Sequence, residues 1–384
     1  MSEKLYYIDS HLFDFTARVL ECRTLEEGFG IILDRTAFFP EGGGQAADTG
    51  YIGPVRVTDV QERDGEVLHY TDTAVEPGLY DCRVDREQRL RRMQNHSGEH
   101  IVSGLVHSLY GFENVGFHMS GECMTVDFSG ELEWDQLMDI ECRANEAVRA
   151  DLPVTAWFPE PDELAGLNYR SKLELTENVR LVKIGDIDLC ACCAPHVAHT
   201  GEIGVIKIFT AERHRGGVRV TLMCGMDALD DYRRHQDNAA EISRLLSVPR
   251  DGIAPAVKRI LDEQERLKAR IAELNRALIA AMAAEYGHTE GNICVFSKLL
   301  DEISQRELVN LLVDKCTGFA AVFCGNDESG YRYVIGSRSA DLRRAAREIN
   351  AAIGGRGGGR PEMIQGSASE SREKVQKFVE NAHV

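Results

Sequence analysis

Up to residue 90 the chain alternates short apolar runs with turn residues: Gly28-Phe29-Gly30, Gly50, Gly53-Pro54, Asp64-Gly65 and Pro77-Gly78. The runs Gly30–Leu33 and Val55–Val60 are rich in β-branched residues and partly alternate, as half-buried strands do. This predicts a small β-barrel-like domain over 1–90. From Arg86 to Tyr110 the period lengthens: Ile101, Leu105 and Leu109 share one helical stripe, and Gly111 ends it. Val115–Met119 and Cys123–Phe128 predict a hairpin, followed by a helix near Trp134–Ala150, a strand over Val154–Phe158 and a short helix starting at Glu160–Leu164. A second hairpin over Val179–Asp188 and strands at Gly204–Phe209 and Val218–Leu222 complete an α+β core over 91–229, a helix on a largely antiparallel sheet.

Over 230–288 Ala, Leu, Glu and Arg dominate, which predicts a helical linker. Val257, Ile260, Leu267, Ile271, Leu274 and Leu278 take a and d positions of a heptad register that Gln264 interrupts. Pro249 and Pro255 are expected to break the linker into two helices, and its stripe fits either an intramolecular hairpin or the coil of a homodimer. Residues 289–384 predict an α/β domain, with strands near Ile293–Phe296, Ala320–Phe323 and Tyr331–Gly336 and three helices. Within it, Gly354 to Pro361 is expected to be either a flexible connector or a bare backbone whose arginines, Arg360 among them, lie against phosphate. The whole is α+β.

Length fits two or three domains, since 384 residues exceed what one core usually organises. A net charge of −18 argues against indiscriminate nucleic-acid binding, because phosphate contacts come from Lys and Arg. Local basic surfaces survive that argument. Arg83, Arg86, Arg89, Arg91 and Arg92 crowd the approach to residue 96; Arg213, Arg215 and Arg219 follow residue 200; and from Tyr331 onward ten Lys/Arg face six Asp/Glu. The N-terminus lacks a secretory layout and no apolar run spans a bilayer, so the expectation is a cytoplasmic protein without a membrane partner. In that compartment the 11 cysteines read as free thiols and metal ligands.

His96 and His100 stand at i and i+4 on the expected helix, which puts both imidazoles on one face. Cys192 and His196 repeat that spacing ninety-odd residues later. One thiolate and three imidazoles suit one tetrahedral zinc ion per chain, provided the fold joins the two halves. Cys190 and Cys193 compete with Cys192; only Cys192 lies four residues before His196. His96-Ser97-Gly98-Glu99-His100 is also His-x-x-Glu-His, the inverted zinc-peptidase motif, in which Glu99 would activate water. Glu41-Gly42-Gly43-Gly44-Gln45 allows close backbone approach to a ligand, but no Gly-Lys-Ser/Thr follows, so it is not a phosphate loop.

Four signatures in order carry a resemblance: Asp34-Arg35-Thr36-Ala37-Phe38 with Gly43-Gly44-Gln45; His96 and His100; Cys192 and His196 with Thr200-Gly201-Glu202-Ile203-Gly204; and Gly357-Gly358-Gly359-Arg360-Pro361. The chain resembles the free-standing alanyl-tRNA editing proteins, AlaX, in their long form, and the editing and C-terminal halves of alanyl-tRNA synthetase. It departs from the synthetase in having Cys193-Ala194-Pro195 where that family has Gly-Gly-Thr. The resemblance implies a C-terminal DHH-associated domain and hydrolysis of serine, with glycine as a second candidate, from mischarged tRNA(Ala). It further implies zinc on His96, His100, Cys192 and His196. Thr36 would meet the serine hydroxyl, Gln45 with Gly43 and Gly44 would orient the ester, and Arg219 and Arg360 would contact the tRNA. The alternatives are the zinc peptidase and a non-enzymatic tRNA-binding zinc protein.

Overall fold

Six strands near the N-terminus close on themselves: β1 (Asp14–Thr24), β2 (Phe29–Leu33), β3 (Gly50–Ile52), β4 (Val55–Arg63), β5 (Glu66–Thr71) and β6 (Gly78–Val84). Around the barrel they run β1-β2-β5-β4-β3-β6, with β6 pairing back to β1. Ala17, Val19, Ile31, Leu33, Val57, Val60, Val67 and Val84 fill the interior, as inward positions alternate with outward ones. The computed structural model describes residues 2–120, 123–171 and 178–382. The chain divides into two units, Met1–Glu241 and Ile242–Val384.

Helix α1 (Arg86–Tyr110) leaves the barrel and is buried along most of its middle, from Asn95 to Gly104. Two of its glycines show why it lies so close to its neighbours. A Cβ at Gly98 would stand 2.2 Å from Cys224 Sγ, and one at Gly104 would stand 2.6 Å from the Ile187 carbonyl. Then follow β7 (Asn114–Ser120), β8 (Cys123–Phe128), α2 (Trp134–Arg149), β9 (Val154–Trp157), β10 (Leu181–Ile184), β11 (Asp188–Ala191), β12 (Ile206–His214), β13 (Gly217–Cys224) and α3 (Gly225–Leu246). Instead of one sheet there are two, both antiparallel: β12-β13-β8-β7 and β9-β10-β11. Ile101, Val102, Leu137, Ile140, Val182 and Leu222 share the core between them.

Arg89 is fully buried rather than part of a basic surface. Its guanidinium pairs with Asp48, and donates to the carbonyls of Ala37 (2.6 Å) and Ser10 (3.0 Å). That network pins the long β2–β3 connection, which carries Gly43, Gly44 and Gln45, against α1. Arg91 is likewise matched, by Asp227 and Asp230.

The second unit holds α4 (Ile253–Ala284), β14 (Ile293–Ser297), α5 (Glu302–Leu312), β15 (Phe319–Asn326), β16 (Gly330–Ser337), α6 (Leu342–Ala352), β17 (Arg356–Arg360), β18 (Met363–Ala368) and α7 (Arg372–Asn381). The sheet order is β14-β15-β16-β18-β17, with only the β14–β15 pair parallel. Two expectations change here. Pro255 does not break a helix; it lies in the first turn of α4, where its missing N–H costs nothing. The glycine-rich stretch is not a flexible connector but edge strand β17, paired to the unforeseen β18. The β17 glycines approach their neighbours too closely for a side chain: a Cβ at Gly357 would lie 2.3 Å from the Gln365 carbonyl. On α4, Val257, Ile260, Leu267, Ile271 and Leu274 are all exposed. No described helix is long and apolar enough to cross a membrane.

Candidate metal centre and cavity

On α1, one helical turn separates His96 from His100, whose ring centroids lie 5.4 Å apart. His196 arrives from the loop after β11, with its ring 4.9 Å from that of His96 and 4.6 Å from that of His100. Cys192, first in that loop, brings its sulfur to 3.5 Å from His96 Nε2 and 3.4 Å from His196 Nε2. Within this cluster the ligating atoms all lie within 4.8 Å of one another, and three of the four residues are buried.

These separations fit a tetrahedral ion. Bonds of about 2.0 Å to nitrogen and 2.3 Å to sulfur at tetrahedral angles place N and S about 3.5 Å apart, which is what the two Cys192 distances show. Each histidine is also held by its other nitrogen. His96 Nδ1 donates to Gln45 Oε1 (3.0 Å), His100 Nδ1 to Asp188 Oδ2 (2.8 Å), and His196 Nδ1 to Ser97 Oγ (3.0 Å). A proton on Nδ1 leaves the Nε2 lone pair facing the cluster, the tautomer a metal requires. Arg170 in turn clamps Asp188, Nε to Oδ1 at 2.7 Å and Nη2 to Oδ2 at 3.0 Å.

Electrostatics favour the same state at Cys192 and His196, whereas at His100 burial lowers the pKa but the hydrogen bonds to Asp188 and Cys192 win and hold it well above 6.5 until a cation takes the proton's place. Burial alone would raise the Cys192 thiol, but the imidazoles of His96 and His196 outweigh it and hold its pKa well below 9.0, towards the thiolate that binds metal. Burial lowers His196 to about 3, leaving it neutral and ready to ligate. Cys190 and Cys193 differ from Cys192: burial pushes both thiols up to about 11. A second group, His100, Asp188 and Cys190, also comes together, but there His100 turns Nδ1, not its free lone pair, towards Asp188.

The loop is built to present Cys192. Its N–H donates to the Arg180 carbonyl (3.0 Å), and Arg180 Nη1 donates back to the carbonyls of Cys192 (3.0 Å) and Ala194 (2.9 Å). Thr200 and Glu202 act structurally: Thr200 Oγ1 donates to the Ala147 carbonyl at 2.7 Å, and Glu202 Oε1 accepts from Ala198 and His199 N–H at 3.0 and 3.1 Å.

A cavity of about 320 Å³ opens beside the cluster, lined among others by His96, His100, Cys192, Gly43, Gly44, Glu99, Asn114 and Arg180. Glu99 is its one acidic lining residue among those described. Its Oε1 accepts from Ser103 Oγ (2.5 Å) and from Asn114, and its Oε2 lies 4.0 Å from His100 Nε2. A larger cavity of about 610 Å³ lies beyond Gln45, lined by Arg92, Asn95 and Met119.

Within the first unit the structure therefore gathers His96, His100, Cys192, His196, Gly43, Gly44 and Gln45, and it leaves Thr36 and Arg219 outside the cavity lining. Thr36 is fully buried and is not in the cavity lining. His69 Nδ1 donates to the Ile31 carbonyl (2.9 Å), so its Nε2 accepts from Thr36 Oγ1 (2.8 Å), while Phe38 N–H donates to the same hydroxyl (3.1 Å). That hydroxyl serves the barrel. Arg219 faces Asp127 on the adjacent strand and donates to both its oxygens, at 2.6 and 2.7 Å. Arg360, in the second unit, is exposed on β17. Asp188, Ser97, Arg170 and Arg180 were missed, because no local pattern marks a residue that acts across elements.

Three family models match separate stretches: the tRNA synthetases class II (A) model over residues 5–79, the threonyl and alanyl tRNA synthetase second additional domain over 179–220, and the DHHA1 domain over 290–383. The alanyl-tRNA editing protein AlaX-L of Pyrococcus horikoshii is 26% identical over 98% of this chain and 96% of its own length. The alanine–tRNA ligase of Halorubrum lacusprofundi is 31% identical over 96% of this chain, and that of Pyrococcus abyssi 28% over 98%. The chain spans only 42% and 43% of those two ligases.

Proposed function

Because the chain resembles AlaX-L from end to end, and alanine–tRNA ligases over the matching part of their length, we propose that it is an aminoacyl-tRNA deacylase. On this reading it hydrolyses the ester of serine, and secondarily glycine, on tRNA(Ala). The observation that carries it is the convergence of His96, His100, Cys192 and His196 beside a cavity that the first three line together with Gly43 and Gly44. A synthesis pocket shaped for alanine discriminates poorly against a smaller or hydroxylated analogue, so a second, hydrolytic site supplies the missing selectivity.

His96, His100, Cys192 and His196 would hold zinc, and four protein donors fill a tetrahedral shell, so the bound ion supplies a fixed charge and an anchor for the site. Gln45 and Asp188 position His96 and His100. Gly43 and Gly44 let the ester lie close to the backbone. Glu99 holds the attacking water and takes its proton. The peptidase reading loses ground for a specific reason: its third ligand should be acidic and come from a later helix, whereas a Cys/His pair on a loop occupies that place. The exposed α4 stripe favours a homodimer formed through that helix. The test of function is release of amino acid from Ser-, Gly- and Ala-tRNA(Ala). Preferential cleavage of the seryl ester supports the reading, and no cleavage of any ester refutes it.

A further inference from the structure

Arg180 carries an unusual burden for a buried cation. It is only 7% exposed, yet among the described residues no carboxylate pairs with it. Burying an unpaired charge is costly, and proteins ordinarily match it with a counter-ion. Two of its five N–H donors hold the Cys192 and Ala194 carbonyls. Its other nitrogens are not among the buried atoms that lack a partner, so they open on the cavity that Arg180 lines. The nearest anionic group, the Cys192 thiolate, belongs to the metal cluster, so a guanidinium so placed is left to be matched by an anion that a ligand brings.

The surroundings narrow the kind of anion. The guanidinium sits over the Tyr7 ring, 5.3 Å from its centroid, and Tyr7 meets Phe158 edge to face at 5.3 Å. Both rings line the same cavity, and Phe158 is half exposed at its mouth. An arginine beside aromatic faces is the combination that takes a phosphate together with an unstacked base. The hydrogen bond to the Cys192 carbonyl also fixes its distance from the cluster: Arg180 stands within one residue of the ligating sulfur.

We infer that Arg180, on the Tyr7–Phe158 wall, binds the phosphate of the terminal nucleotide of the aminoacyl-tRNA, with the two rings against its base. This rests on the deacylase reading. The cavity then has a cationic end for the nucleotide and an acidic end, at Glu99, near the metal ligands.

The test uses two small esters, seryl-adenosine and seryl-adenosine monophosphate, identical except for the phosphate. Arg180→Gln keeps amide donors for the two carbonyls and removes the charge; Arg180→Lys restores the charge. Charge-assisted bonds to phosphate predict that Arg180→Gln raises KM for the phosphorylated ester about 10–100-fold more than for the other, with partial rescue by lysine. Zinc content per chain should match the wild type. Equal losses on both esters, or loss of zinc, would show that Arg180 only staples the loop and would overturn the inference. Wild-type protein provides a second arm independent of any variant: adenosine monophosphate should inhibit about tenfold more strongly than adenosine, and equal inhibition overturns the proposal. If the wild type cleaves neither ester nor Ser-tRNA(Ala), the deacylase reading itself fails and takes this subsite with it.

Discussion

Replacing Asp188 by asparagine changes almost no volume and so isolates the role of its charge. In the native site Oδ2 accepts from His100 Nδ1 at 2.8 Å and from Arg170 Nη2 at 3.0 Å, while Oδ1 accepts from Arg170 Nε at 2.7 Å. An asparagine has one acceptor and one donor where the carboxylate has two acceptors. If its oxygen faces His100, its amide meets the Arg170 N–H donor to donor. If the amide faces His100 instead, Nδ1 must accept, the ring proton moves to Nε2, and the metal-facing lone pair disappears. Both arrangements lose the charge that matches Arg170. Loss of such an orienting carboxylate typically weakens metal binding about 10–100-fold, or about 1.4–2.7 kcal/mol. Competition for zinc against a chromophoric chelator at neutral pH measures this directly. Wild-type and Asp188→Asn affinities within about twofold of each other would refute the claim that Asp188 sets the tautomer of His100.

Four further outcomes follow from the same geometry. Glu99→Gln should lower kcat for Ser-tRNA(Ala) about 10²–10⁴-fold at full zinc occupancy; a kcat within threefold of wild type removes Glu99 from proton transfer. Thr36→Val strands the His69 Nε2 lone pair and the Phe38 N–H, so thermal unfolding should show a loss of about 1–3 kcal/mol. A normal melting curve combined with an altered Ser-to-Ala ratio would return Thr36 to the substrate. The Arg219 hydrogen bond holds Asp127 below its ordinary 3.8, so that stabilisation is complete above pH 3.8 and is lost as the pH falls through the lower folded-state value. Arg219→Gln should then begin acid unfolding at higher pH, and superimposable acid titrations by circular dichroism would contradict this. Leu267→Glu on the exposed α4 stripe should turn a dimer into a monomer in sedimentation; a monomeric wild type ends the dimer proposal.

Much of the site was legible because its chemistry repeats a spacing. His96/His100 and Cys192/His196 each stand four apart, and α1 runs over the expected Arg86–Tyr110. What the spacing could not reveal is what turns each ring. Gln45, Ser97 and Asp188 reach their histidines from a barrel connection, a helix and a strand, and contacts between elements leave no period in a sequence. The ion pair of Arg219 was hidden for a related reason: its partner, Asp127, is directly opposite only once β8 and β13 pair in register. β17 escaped because glycines show no apolar alternation, although their lack of side chains is what allows the strand to pack. Thr36 was assigned through resemblance alone, and its hydroxyl is already bonded within the barrel.

The central claim is that one ion, held by His96, His100, Cys192 and His196, organises a site that cleaves seryl-tRNA(Ala). The most direct measurement follows serine release from Ser-tRNA(Ala) by purified protein, by the same protein stripped with a chelator, and by stripped protein returned to one equivalent of zinc. The account predicts release, loss and recovery in that order, with Ala-tRNA(Ala) largely spared throughout. Undiminished serine release from metal-free protein would contradict it.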